Sequence, residues 1–237
     1  LTDSSYSVGE TFPLVLNANN GSSPTNTITI RPAASNVASI TGSSASCILT
    51  LNGADYVTVD GSNSGGTDRS LTISNTNTAA TTASVCIVSN GTGAGATNNT
   101  VKNTNIAAGT NQATGTNTSF GIYSGGSGTL SITNDGVDND TNAYTNNYVT
   151  SARYGIWIRG GASNANDGNS VTGNLIGPAA FGATEIGRGG IVIQHQNSAT
   201  ISQNEVRFVG GNFANRSGFG KAIGIGVGSE TGPTPTT

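Results

Sequence analysis

The chain has 237 residues, of which 9% are charged and none is Met, and its formal net charge is −3. Thr (34), Ser (27), Asn (29) and Gly (35) make up more than half of it, while strong helix formers are scarce, which excludes helical bundles and coiled coils. Nine basic residues provide no basic stripe for nucleic acid, no apolar run is long enough to insert into a membrane as a helix, and low charge with recurrent apolar alternation argues against disorder.

In chain order, the first half reads as short strands: "TITIRP" (27–32), "CILTLNG" (47–53), "YVTVDGS" (56–62), "SLTISN" (70–75) and "VCIVSNG" (85–91). Each alternates apolar with polar residues, so one face is buried, and each ends in turn residues. Cys47 and Cys86 sit in similar strands with two other strands between them. Three strands before the pattern returns to an equivalent one is what a turn of a three-sided coil requires.

The second half interleaves two motifs. The first sets an aliphatic or aromatic residue, two residues, a small polar residue, one residue and an aliphatic. It occurs as "VKNTNI" (101–106), "ITNDGV" (132–137), "YTNNYV" (144–149), "VTGNLI" (171–176) and "ISQNEV" (201–206). The second occurs as "FGIYSGG" from Phe120, "YGIWIRGG" from Tyr154, "GGIVIQ" from Gly189 and "AIGIGVG" from Ala222. Aligned on Ile122, Ile156, Ile191 and Ile223, it advances by a nearly even step of about 34 residues, within the range of coil-forming repeats. A long, nearly even period marks a solenoid, because a sandwich lacks one.

The predicted architecture is therefore all-β, a right-handed parallel β-helix of roughly seven coils over residues 1–228. Residues 229–237 are expected to form a Pro/Thr-rich linker to further chain. In such a coil like residues stack about 4.8 Å apart. Aliphatic positions then build the core, and the polar position falls where the chain turns. Stacked amides there satisfy backbone groups that no strand partner reaches. Asn174 and Asn204 are expected in this ladder, with Asn147, Asp135 and Thr104 as looser members.

The segments "LNGADYVTVDGSN" (51–63), "NNTVKNTNI" (98–106), "GIWIRGG" (155–161) and "NSVTGNLIG" (169–177) resemble the parallel β-helix repeat domains of large bacterial surface and secreted proteins, the pectin-lyase-like superfamily, and in particular the cell-surface modules of Bacteroidetes-type bacteria. The likeness runs from about residue 10 to 228. It implies export to the cell surface, and it is specific for fold rather than activity, since the same coil serves lyases, hydrolases, adhesins and stalks.

Four features carry candidate chemistry. Cys47 and Cys86, if on adjacent rungs, stack on one another, either as a disulfide suited to an exported protein or as two buried small hydrophobes. Asp135, Asp138 and Asp140 crowd oxygen ligands of the kind Ca²⁺ takes, or form a solvated acidic turn on a loop projecting from the rod. With Ile122, Ile156 and Ile191 inward, alternation sends Tyr123, Trp157 and Arg159 outward, where stacked rings beside a polar group suit a glycan. Arg153, Arg159, Arg188, Arg207 and His195 are the available bases. Asp55, Asp60 and Asp68 lie far along the rod from Glu185 and Glu205, so no acid–base pair converges.

The leading functional expectation is a non-enzymatic extracellular or cell-surface module, a stalk or adhesin segment contacting glycans or other surface proteins. Open coil ends add end-to-end association into a fibre. A polysaccharide lyase or glycoside hydrolase is the alternative. An ice-binding rod is a third reading; it requires regular outward Thr-x-Thr ranks on a flat face, and "TLSITN" and "TITI" do not repeat at a fixed step.

Overall fold

The computed structural model describes residues 1–111, 118–210 and 222–228. Within them the chain winds as a parallel β-solenoid of about six turns, slightly fewer than the roughly seven expected. The segment 229–237, expected as a linker, lies outside the described residues. All strand pairs between coils are parallel, and three sheets run the length of the rod.

Sheet 1 stacks Ser5–Tyr6, Ala38–Gly42, Leu71–Asn75, Thr104–Ala107, Tyr148–Thr150, Leu175–Ile176 and Glu205–Val206. Sheet 2 stacks Leu14–Asn17, Leu49–Asn52, Thr82–Ser89, Ser119–Gly126, Tyr154–Arg159, Gly189–Gln194 and Ile223–Val227. Sheet 3 stacks Ile28–Ile30, Val57–Asp60, Thr100–Lys102, Ala143–Thr145, Ser170–Thr172 and Thr200–Ser202.

The register makes the core a set of aliphatic columns. Sheet 2 aligns Leu49, Val85, Ile122, Ile156 and Ile191. Sheet 1 aligns Ile40, Ile73, Ile106, Val149 and Ile176, and sheet 3 aligns Val59, Val101, Tyr144 and Val171. All fourteen belong to one buried cluster. Alternation along each strand accounts for this, because every second side chain must face the lumen, where apolar groups are favoured; the Tyr144 hydroxyl is the polar atom buried in these columns.

Corners are tight and repetitive. On entry to sheet 3, Tyr56, Asn98, Thr141, Gly168 and Ser198 adopt left-handed backbone, with φ of 57°, 56°, 57°, 67° and 53°. On exit, Asn103, Asn146, Gly173 and Gln203 do the same, with φ of 57°, 52°, 64° and 57°. This conformation costs a non-glycine residue roughly 1–2 kcal/mol.

Amide ladders hold the corners. At the sheet 3 to sheet 1 turn, Asn174 Oδ1 accepts from Asn147 N (2.9 Å) and Asn204 Oδ1 accepts from Asn174 N (2.9 Å). Asn147 Oδ1 accepts from Thr104 N and Oγ1. Each amide also donates down the rod, Asn147 to Val101 O, Asn174 to Tyr144 O and Asn204 to Val171 O. Asp135 lies outside this ladder, because 132–137 is not a corner but part of an excursion on the outside of sheet 2.

A second ladder, unanticipated, lines the entry to sheet 3. Asn99 N donates to Asn142 Oδ1 (3.0 Å), and Asn142 N donates to Asn169 Oδ1 (2.8 Å). Its sequence signal is an Asn-x-aliphatic or Asn-x-aromatic triplet shortly ahead of Thr104, Asn147 and Asn174, in "NTV", "NAY" and "NSV".

Candidate functional site

The outer side of sheet 2 is where the sequence placed a ligand face. Register aligns Thr50, Cys86, Tyr123, Trp157 and Val192 in one outward column. Tyr123 and Trp157 do stack on adjacent rungs, but both are 0% exposed. This corrects the expectation of an open aromatic face. The rings belong to a second apolar cluster with Phe120, Tyr154, Leu130 and Cys86. Tyr154 and Trp157 meet edge to face at 4.9 Å, and Phe120 stacks on Tyr154 at 5.5 Å.

Two features close this face. The segment after Gly126 folds back along it: Tyr123 Oη donates to Ser131 O (3.2 Å), and Asn134 Nδ2 ties the Gly126, Ser127 and Thr129 carbonyls together. Burial pushes the Tyr123 phenol up to about 12. Phe120 and Tyr154 also turn outward, although strict alternation would put them beside Ile122 and Ile156. The cause is glycine. A Cβ on Gly121 would lie 2.3 Å from Val149 Cγ1, and one on Gly155 would lie 2.6 Å from Ile176 Cγ2, so residues 121 and 155 already face the core ahead of the next inward isoleucine. Alternation breaks there, and only a residue without a side chain allows it.

Arg159, the third predicted contact residue, is committed to ion pairing. Its Nε lies 2.5 Å from Asp135 Oδ1, and Nη1 donates to Gln194 Oε1 on the next rung.

The three aspartates offered for Ca²⁺ are not brought together. Asp135 faces Arg159. Asp138 accepts from Gly93 N (2.6 Å) and Asn164 Nδ2 (2.7 Å). Asp140 accepts from Asp167 N (2.7 Å), and its carboxyl is held above its ordinary value by burial, with the charges of Asp167 and Asp138 adding to the rise. No group of three or more potential protein ligands to a metal exists among the described residues. Each carboxylate satisfies local backbone or a neighbouring cation, which leaves none to converge on an ion.

Asp55, Asp60, Asp68 and Glu205 are likewise engaged. Asp55 accepts from Thr97 N and Oγ1. Asp60 is pushed up by burial, but hydrogen bonds from Asn103, Ser62 N and Lys102 outweigh this and hold it below its ordinary value. Asp68 receives Ser62, Ser64 and Ser70 hydroxyls at 2.6, 2.5 and 2.7 Å, and these hydrogen bonds hold it well below the usual carboxylate range. Glu205 pairs with Arg207 at 3.1 Å.

Cys47 and Cys86 form a disulfide with Cα atoms 6.1 Å apart. They do not stack directly: Cys86 registers against Thr50, so the bridge slants from the corner preceding one sheet 2 strand to the middle of the next. That offset admits the bond where ideal stacking would not.

At the C-terminal end, Ile193, His195, Gln196, Ile201 and Val227 help line a cavity of about 500 Å³. Among the described residues no carboxylate lines it.

No family model, curated protein or solved structure matches the chain.

Proposed function

We propose that the chain is a non-enzymatic extracellular module, a rigid stalk or adhesin segment that holds a surface at a fixed distance. One observation carries this reading: the side chains suited to chemistry are engaged in stiffening the rod. Tyr123 and Trp157 pack inside a sealed cluster, Arg159 neutralises Asp135, and Asp55, Asp60 and Asp68 accept hydrogen bonds within their own corners. Two amide ladders and a disulfide lock successive coils.

The disulfide supports an oxidising, exported location, because such bonds persist outside the cytosol. The resemblance of residues 51–63, 98–106, 155–161 and 169–177 to pectin-lyase-like surface modules supports the same address. The fold is shared with polysaccharide lyases and hydrolases, and these require converging carboxylates and a base.

The test is turnover. Incubated with a panel of acidic and neutral polysaccharides, with and without Ca²⁺, the domain is expected to release neither unsaturated products nor reducing ends. Release from any one substrate overturns the reading in favour of the enzyme.

A further inference from the structure

The outward face of sheet 3 is a two-dimensional array of hydroxyls. One column registers Thr29, Thr58, Thr100, Ala143, Ser170 and Thr200. The second, two residues along each strand, registers Asp60, Lys102, Thr145, Thr172 and Ser202. Between them lies the inward column with Val101, Tyr144, Val171 and Ile201. The Asp60–Lys102 ion pair closes the array at one side. Beyond it, from Ala143 to Ser202, every outward position is Thr, Ser or Ala.

We propose that this face binds ice. Three properties support it. The first is spacing: outward backbone positions repeat about every 4.8 Å along the rod and about every 6.7 Å across it. These repeats are close to the oxygen spacings along the a and c axes of hexagonal ice, so waters held by the hydroxyls fall near lattice positions. The second is chemistry. A threonine presents one hydroxyl and one methyl, which anchor a water and restrict the waters around it, and the outward columns hold no aromatic ring on which a sugar would stack. From Ala143 onward the columns themselves hold no charge, and the Arg69 guanidinium at their edge is tied to Asn146 O and Oδ1.

The third property is order before binding. The span between left-handed corner residues is identical in the last four strands, from Asn98 to Asn103, Thr141 to Asn146, Gly168 to Gly173 and Ser198 to Gln203. The two amide ladders sit just inside those corners. The strands Thr100–Lys102, Ala143–Thr145 and Ser170–Thr172 are thus held at both ends and Thr200–Ser202 at its exit, which lowers the entropic cost at contact. Thr145 and Thr172 hydroxyls lean together and share a hydrogen bond at 3.1 Å, so they offer water one paired site rather than two separate ones.

The steps along the chain between Thr29, Thr58, Thr100, Ala143, Ser170 and Thr200 are uneven, those on either side of Thr100 being much the longest. Excursions of different length between sheets 2 and 3 hide this register from any fixed-period scan of the sequence. This assignment is independent of the stalk reading, since a face that holds ice does not depend on whether the rod also acts as a spacer.

The experiment is partition of the domain into a slowly growing ice shell, scored against an inert protein of similar size in the same solution. The expected result is enrichment of the wild type in the ice fraction and its loss in Thr145→Tyr and Thr172→Tyr, where a projecting ring breaks the plane in a strand that tolerates tyrosine. Thr150→Tyr, on sheet 1, is expected to partition like wild type. Thermal unfolding checks that all three variants fold, and Thr172→Lys replaces any that does not. Exclusion of the wild type from ice overturns the proposal, as does unchanged partition of the sheet 3 variants or equal loss in Thr150→Tyr.

Discussion

The corner asparagines show how one residue type can be indispensable in a chain that uses it freely. Asn174 accepts from Asn147 N and Nδ2, and donates to Tyr144 O and Asn204 Oδ1, at a site 1% exposed. Removing the amide leaves buried backbone groups without partners, each costing about 1–3 kcal/mol. Asn174→Ala is therefore expected to lose about 3 kcal/mol of stability in urea unfolding. Asn197, exposed on a short strand outside the ladders, should lose little on the same change. Asp68 sets a pH dependence. Its folded pKa is depressed by three serine hydroxyls, so its contribution is complete above the ordinary aspartate value of 3.8 and is lost as pH falls through the lowered one. Urea midpoints for wild type and Asp68→Asn should differ at about pH 5, and the difference should shrink as the pH falls toward about 2.

At the scale of the element, glycine decides which side of sheet 2 a ring occupies. Gly121, Gly155 and Gly190 repeat at the start of successive strands, and a Cβ on Gly155 would lie 2.5 Å from the Gly190 carbonyl oxygen. A backbone atom in a stacked rung cannot move aside cheaply. Gly155→Ala is expected to cost about 3 kcal/mol, measured by chemical denaturation, and to weaken the near-ultraviolet circular dichroism of Trp157. The strands themselves were legible: Ile122, Ile156 and Ile191 align as their spacing requires. The burial of Tyr123 and Trp157 was not legible. Alternation tells which face a side chain leaves from, and it is silent on whether a distant segment returns to cover that face. Leu130 and Asn134 do so here through contacts that no local pattern encodes.

For the whole molecule, stability accrues coil by coil, so anything that links coils counts beyond its own contacts. The Cys47–Cys86 bridge spans a sequence separation of 39 and, by loop-closure entropy, contributes about 4 kcal/mol. Reduction, or Cys86→Ala, should lower the unfolding free energy by about that much, and thiol titration of the native protein should find no free thiol before reductant is added. The sequence alone determined the class: a composition rich in Thr, Asn and Gly, with a long and nearly even period, can bury its aliphatics only by winding and stacking. It also set the corner positions of Asn147, Asn174 and Asn204, because an amide beside an aliphatic pair in a turn has few other roles. Only the tertiary structure decided what faces solvent. The aromatic column is sealed and the hydroxyl columns of sheet 3 fall into register, because exposure and inter-coil register depend on excursions whose length varies while the rung spacing does not.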